Sequence, residues 1–335
     1  MIPGGLFCEN EDQRVTWALP QGHADRPPAT RVGDDTVTEG GVAAGSTFVI
    51  PGSISNLGPG FDALSVAVQL YLRLRVVEIL PASPGLFTTE FLGAAPGGEN
   101  RIEAAFRHAA ARAVVQPPGV RIEISSDIPP RAGLGSSGAA TIAGLRLFEA
   151  LTSPLPQPRL LGMACEIDGH PDNVAASLLG GLTVGCVQDD GEVRALAAPW
   201  PVAISFVVAT PEAGLDTSRA RAVLPDAVTL KDAVFNLQRA LLFVRAIETG
   251  AYEHLREALR DRWHQAGRAP LVPGLDEALA LDAPEILGVC LSGSGPSILA
   301  FVTGADTIAV ERLGSIYRRL GLPCTIRTLS AHQPS

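Results

Sequence analysis

From residue 46 onward the apolar positions fall into short runs whose period switches between two and about 3.6 residues, so strands alternate with helices. STFVI at 46–50 and YLRLRVVEI at 71–79, with Leu72, Leu74 and Val76 opposite Arg73 and Arg75, predict strands. Asn100 followed by Glu103 has the spacing of a capping box, and RIEAAFRHAAARAV next to it predicts a helix. VRIEI alternates again, and the small residues from Gly135 to Leu151 predict a buried helix. The Pro-rich break SPLPQP precedes two short helical segments around Glu166 and Asp172, then the strand GLTVGCV. After DDGEV and APWP a second series opens with the strand VAISFVVA. Helices near 217–224, 229–248 and 251–264 follow, then a strand at 286–291, the strand SILAF, a helix over 305–320 and the strand CTIRTL. No segment repeats another.

This order divides the chain into a first domain at 46–199 and a second at 200–335, an α+β arrangement in two parts. Residues 1–45 hold seven Gly and four Pro without a period and read as a disordered leader, with a translation start at Val42 as the alternative.

Composition narrows the function. Lys plus Arg number 26 against 35 Asp plus Glu, a net charge of −9 that repels polyanions and argues against nucleic acid or an anionic membrane as partner. Cys8, Cys165, Cys186, Cys290 and Cys324 are odd in number and lack a C-x-x-C spacing, so reduced, buried thiols are expected rather than disulfides or structural zinc. No apolar run approaches the ~18 residues of a membrane span. With no basic segment leading into an apolar core at the N-terminus, the expectation is a cytoplasmic protein.

The stretch GLGSSG, Gly133 to Gly138, matches G-x-G-x-x-G. A dinucleotide fold needs its first Gly directly off a strand and an acid about 20 residues on. Here Pro129 and Pro130 separate the loop from VRIEI, and the residues near 153 are a Pro-rich loop. A Walker loop or a protein kinase needs a phosphate lysine. The only lysine is Lys231, inside the helical pattern TLKDAVFNLQRALLFVRAI. What remains is an anion cradle: Gly133 and Gly135 let the backbone approach closely, Ser136 and Ser137 donate hydrogens, and the next helix adds its N-terminal dipole. A glycine turn that only packs helix on strand is the plainer reading of the loop taken alone. Likewise His170 with Asp168 and Asp172 has metal-ligand chemistry, but reads better as a hydrogen-bonded turn at a helix start.

Four stretches in this order, PGSISNLGPGFDAL at 51–64, PPRAGLGSSGAA at 129–140, EIDGHPDNVAASLLGGL at 166–182 and LSGSGPSILAF at 291–301, resemble the GHMP small-molecule kinases and, within them, the homoserine kinase branch. The resemblance spans roughly residues 46–330. It implies an N-terminal domain like the second domain of ribosomal protein S5, a ferredoxin-like C-terminal domain and an active site between them. ATP would lie on Pro130, Arg131, Ala132, Gly133, Leu134, Gly135, Ser136, Ser137 and Gly138, and Mg2+ on Ser137 and Glu166. Asn56, Asp62, His170 and Asp172 would face the acceptor L-homoserine, with Thr217 and the planar bidentate forks of Arg221 and Arg268 taking its carboxylate. Ser137, Glu166 and Asn173 would form the catalytic set; Asn173 cannot take a proton, so the expected catalysis is by positioning and charge stabilisation. A GHMP kinase for mevalonate or shikimate, and a catalytically silent sensor, are the alternatives. The sequence departs from the branch pattern at Gly52, Ser65 and Gly138 and lacks an aromatic just before Arg268. Family members are commonly dimers, which sets a homodimer as the expectation.

Overall fold

A computed structural model describes residues 42–93 and 97–334. The expected leader lies outside the described residues up to position 41.

The first sheet is organised by one long strand. β1 (Thr47–Ser55) runs antiparallel to β2 (Leu64–Leu80), and β3 (Phe87–Phe91), β4 (Gly119–Ser126), β5 (Leu182–Val187) and β6 (Val193–Ala198) complete the order β3-β4-β2-β5-β6, with β1 joined to β2. All pairings are antiparallel except β3 with β4. β2 is longer than its alternating stretch predicts, because residues 64–68 are apolar or small and all buried, which hides the period of two. β3 and β6 have no sequence-based expectation; both are short and largely open to solvent.

Four helices accompany this sheet: α1 (Arg101–Ala113), α2 (Ser136–Leu151), α3 (Gln157–Asp168) and α4 (Asp172–Leu179). The Asn100 side chain caps α1 by accepting from Glu103 N, as expected, while the Glu103 carboxylate turns outward to Arg107. α1 lies directly on α2 at Gly144. A Cβ there would sit 2.2 Å from the Ile102 carbonyl, so only a glycine permits the contact.

The second sheet, in the order β10-β7-β9-β8, is antiparallel: β7 (Ile204–Pro211), β8 (Ile286–Leu291), β9 (Ile298–Thr303) and β10 (Cys324–Leu329). Its side chains obey the period of two on both faces. Phe206, Val208, Leu299 and Phe301 point into the core shared with the first sheet, beside Trp200 and Phe243. Val207, Ala209, Ile298, Ala300 and Val302 point into a second core.

Between β7 and β10 come α5 (Thr217–Ala222), α6 (Leu230–Thr249), α7 (Leu255–Ala258), α8 (Gln265–Arg268), α9 (Leu275–Leu279) and α10 (Thr307–Leu320). The continuous helix expected over 251–264 is not present. The Asp261 carboxylate accepts the N–H groups of Trp263, His264 and Gln265, which stops the chain after α7 and starts α8.

Candidate active site

Five separated segments, Arg101 and the buried Arg268 surround a cavity of about 410 Å³. One end is built from backbone. Gly133 and Gly135 take positive φ, 74° and 73°, and stand against neighbouring chain: a Cβ at 133 would meet the Ser292 carbonyl at 2.3 Å, and one at 135 the Ser53 Oγ at 2.1 Å. The loop is tied down by Ser292 Oγ donating to the Gly133 carbonyl at 2.6 Å and by Ser53 N donating to that of Leu134. Ala132 and Leu134 face the core, which turns their neighbours toward the cavity.

α2 then starts at Ser136 with Gly135 as its N-cap, no side-chain cap and no acid in its first turn. Its leading N–H groups and dipole are therefore available to an anion. Of the residues expected around ATP, Arg131, Gly133, Gly135, Ser136 and Ser137 line the cavity. Ala132, Leu134 and Gly138 are buried behind it, and Pro130 is exposed outside the lining.

The carboxylate beside Ser137 is Asp168, not Glu166. Ser137 Oγ donates to Asp168 at 3.1 Å, Thr141 Oγ1 at 2.9 Å and Arg101 at 2.8 Å, and the Asp168 side chain is 2% exposed. Glu166 sits two residues earlier on α3, roughly 200° around the helix. It points at α1, where His108 and Arg112 each contact it at 2.8 Å. Glu166 does not line the cavity, so the expected pairing of Ser137 with Glu166 is absent and helix rotation is the reason. The sequence signal for Asp168 was its place as the last residue of α3, just before the αL glycine Gly169.

The other end is built from side chains. Asn56, Leu57 and Asp62 all have positive φ, and Asn56 holds their loop by donating to the Gly293 carbonyl and accepting from Asp62 N. Arg221 grips both oxygens of Asp62, at 3.0 and 2.7 Å. His170 Nδ1 lies 2.5 Å from Asp172 Oδ1, an oxygen that also accepts from Asn173 N. Burial pulls the His170 pKa down, but the Asp172 hydrogen bond and the charges of Asp172 and Asp62 outweigh it and leave the ring above its ordinary value. Asp62, His170 and Asp172 also offer ligand atoms within 4.8 Å of one another; the bonds to Arg221 and within the His170 turn account for them without an ion.

Asn173 Oδ1 accepts from Ser53 Oγ at 2.8 Å, and Thr217 Oγ1 lies 3.4 Å from Ser294 Oγ. Arg268 is 1% exposed, and burial with the nearby Arg221 charge pulls its pKa down to about 10, still charged at neutral pH. Its Nε and Nη1 donate to Ala220 O, to Gly293 O and to His264, which leaves both Nη2 hydrogens without an acceptor among the described residues. Every residue expected on the acceptor side, Asn56, Asp62, His170, Asp172, Thr217, Arg221 and Arg268, lines this cavity together with Asn173. Ser294, Gly293 and Arg101 join them without having been anticipated.

A glycine-turned helix N-terminus with a hydroxyl and a buried acid at one end, and arginines at the other, can hold two ligands whose charged groups differ. Two family models match the chain. The description GHMP kinases N terminal domain matches residues 100–181, and GHMP kinases C terminal matches 243–318. These define a small-molecule kinase of the GHMP class, with the two-part α+β architecture that the motifs implied.

The chain belongs to the homoserine kinase family within that class. It is 39% identical over 274 residues to homoserine kinase of Solibacter usitatus, covering 81% of this chain and 90% of that one, and 36% identical over 285 residues to that of Moorella thermoacetica, covering 84% and 95%. The crystal structure of homoserine kinase from Cytophaga hutchinsonii matches with a TM-score of 0.75 at 24% identity, over 88% of this chain and 96% of that one. Mevalonate kinase of Methanococcus jannaschii shares the fold, with a TM-score of 0.62 at 14% identity over 86% and 99%.

Proposed function

We propose that this protein transfers a phosphoryl group from ATP to the side-chain hydroxyl of L-homoserine, giving O-phospho-L-homoserine for threonine biosynthesis. One observation carries the reading beyond family membership: the α2 N-terminus and the half-engaged Arg268 guanidinium open into the same cavity. The first suits phosphates and the second a carboxylate. A zwitterionic acceptor would exchange the internal Asp62–Arg221 pair for two external ones, its carboxylate on Arg221 and Arg268 and its ammonium on Asp62 or Asp172.

The loop amides of Gly133, Gly135 and Ser136 are the proposed phosphate cradle. The donor set fits Mg2+: Ser137 Oγ and the Asp168 carboxylate are adjacent hard oxygens, and Asp168 takes the role that the motif had suggested for Glu166. When bound, Mg2+ supplies charge neutralisation on the phosphate oxygens. Asn173, held by Ser53, orients the acceptor rather than taking its proton, in keeping with a loose transition state that asks little of a base.

ADP release from MgATP, measured against L-homoserine, mevalonate, shikimate and no acceptor, tests this. Turnover with homoserine alone is expected. Turnover with another acceptor only, or ATP binding with no turnover, would overturn it in favour of a different GHMP kinase or a silent sensor.

We also infer a homodimer in a reducing compartment, the cytoplasm. Leu230, Val234, Leu237 and Leu241, 81%, 42%, 58% and 64% exposed, form a 4-3-4 stripe on the outer face of α6, while Phe243, Ala246 and Ile247 are buried on its inner face. A helix apolar on both sides is one that packs on both sides. Antiparallel seating of a second copy pairs Leu237 with Leu241 and brings Lys231 near Glu248, whereas parallel seating opposes like charges. Leu241→Glu should convert a dimer to a monomer by light scattering; an unchanged mass would remove this face from the interface. Cys165, Cys186, Cys290 and Cys324 are free thiols, of which Cys165 and Cys290 are buried as expected while Cys186, near the end of β5, is exposed and Cys324 half-buried, and no described helix is long and apolar enough to cross a membrane.

A further inference from the structure

His264 lies behind the cavity, in no part of its lining, with a side chain that is 0% exposed. Its two ring nitrogens have different partners. Nδ1 is 3.2 Å from Arg268 Nη1, and Nε2 is 2.7 Å from the Gly58 carbonyl. A guanidinium has hydrogens to donate and no lone pair to accept with, so Nδ1 must be the acceptor. The ring proton is then on Nε2, where it donates to Gly58. Each contact excludes the other tautomer, and a protonated ring would set an N–H against the guanidinium.

Asp261 does not complete a relay. Its nearer oxygen is 3.8 Å from Nε2, beyond hydrogen-bond reach, and its carboxylate is occupied by Asn236 and by the backbone N–H groups that start α8.

The two contacts join two parts of the acceptor end. Gly58 belongs to the loop that carries Asn56 and Asp62, and this loop presses on the chain after α7, since a Cβ at 58 would meet the Leu259 carbonyl at 2.2 Å. Asn56 and Arg268 both donate to the Gly293 carbonyl, at 2.9 and 3.0 Å. The Phe61 ring lies 5.3 Å from the His264 ring, and the guanidinium carbons of Arg221 and Arg268 are each 5.4 Å from the Phe61 centroid. Removing the imidazole therefore loosens Arg268 and the 56–62 loop together.

We propose that His264, as the neutral Nε2–H tautomer, is a positioning residue that locks Arg268 and the 56–62 loop into register for the acceptor's carboxylate. The inference rests on the reading of Arg268 as the carboxylate site. It assigns His264 no contact with substrate, so its signature is acceptor affinity and not the chemical step.

Two conservative variants separate the contacts. His264→Asn keeps an acceptor near the Nδ1 position but cannot reach Gly58, and His264→Gln keeps a donor near Nε2 but lacks the acceptor. His264→Gln should raise KM for L-homoserine about tenfold, the effect of one lost hydrogen bond to a charged group, and His264→Asn about fivefold, the effect of one lost bond to a neutral carbonyl, each with kcat within about threefold and KM for ATP unchanged. A lowered melting temperature with an unchanged homoserine KM, or equal losses for both substrates, would reduce His264 to a structural role and overturn the proposal. Long-range 1H–15N spectra of the unliganded wild-type protein at neutral pH, assigned through His264→Gln, should show Nδ1 without a proton. A ring protonated at Nδ1 overturns the proposal even in an enzyme that turns over homoserine. The expected tautomer in an enzyme inert toward homoserine overturns the functional reading instead.

Discussion

The two ends of the cavity are made of different material. The proposed phosphate end is a contiguous stretch, Gly133–Ser137, and its groups are backbone amides at a helix start, with one hydroxyl and one acid beside them. The proposed acceptor end draws Asn56, Asp62, His170, Asp172, Arg221 and Arg268 from separate parts of the chain, and most are already bonded to one another. Backbone donors cannot be mutated away and need no partner to aim them. Side chains assembled over more than 200 residues hold their directions only through mutual contacts, so damage there should spread.

The sharpest test of that contrast is Arg268→Ala. Truncating a buried guanidinium takes a donor from the Ala220 carbonyl and from His264 and leaves the Gly293 carbonyl with Asn56 alone, and should lower kcat/KM for homoserine about 10³-fold while KM for ATP changes little. Steady-state kinetics with each substrate varied checks it; Arg268→Lys, which keeps the charge and loses the fork, should lie between.

Next comes the pair of acids on α3. Asp168→Asn should lower kcat about 10²-fold, whereas Glu166→Gln, altering an acid that faces α1, should stay within about twofold. The opposite ranking would restore the motif-based assignment of Glu166 and break the account of the phosphate end.

A smaller effect concerns pH. Burial holds His264 below the ordinary imidazole value, followed by opposing effects from Asp261 and Arg268. A base with a depressed folded pKa contributes stability that is present above its unfolded value, near 6.5, and lost as pH falls through the folded value. The urea midpoint of the wild type should therefore fall relative to that of His264→Gln between pH 7 and pH 5; a constant difference would show that the ring does not titrate on unfolding.

The smallest effect belongs to the backbone-built end. Ser136→Ala should change KM for ATP by no more than about threefold, because the amide N–H groups remain. A large loss would move the phosphate contact from backbone to hydroxyl.

Several of these features are legible in the sequence alone. Alternation marked β4, a short apolar run marked β7, and small-residue density marked α2, because those signals are local. Positions such as Gly133 and Gly135 announced a tight turn, since few other residues take positive φ without strain. β3 and β6 escaped notice because short, solvent-facing strands carry little hydrophobic pattern. The expected helix over 251–264 failed because propensity does not register one aspartate side chain taking three backbone donors.

What the sequence determined by itself was the alternation of the longer strands and helices, the glycine-turned helix start and the set of motifs that names the family. All of these rest on conformational demands that act within a few residues. Tertiary structure alone decided that Asp168 and not Glu166 meets Ser137, that Arg268 keeps two donors for the cavity, and that α6 turns a leucine stripe outward. Those outcomes depend on the rotation of one helix against its neighbours and on which polar atoms reach each other first, and neither is encoded in spacing along the chain.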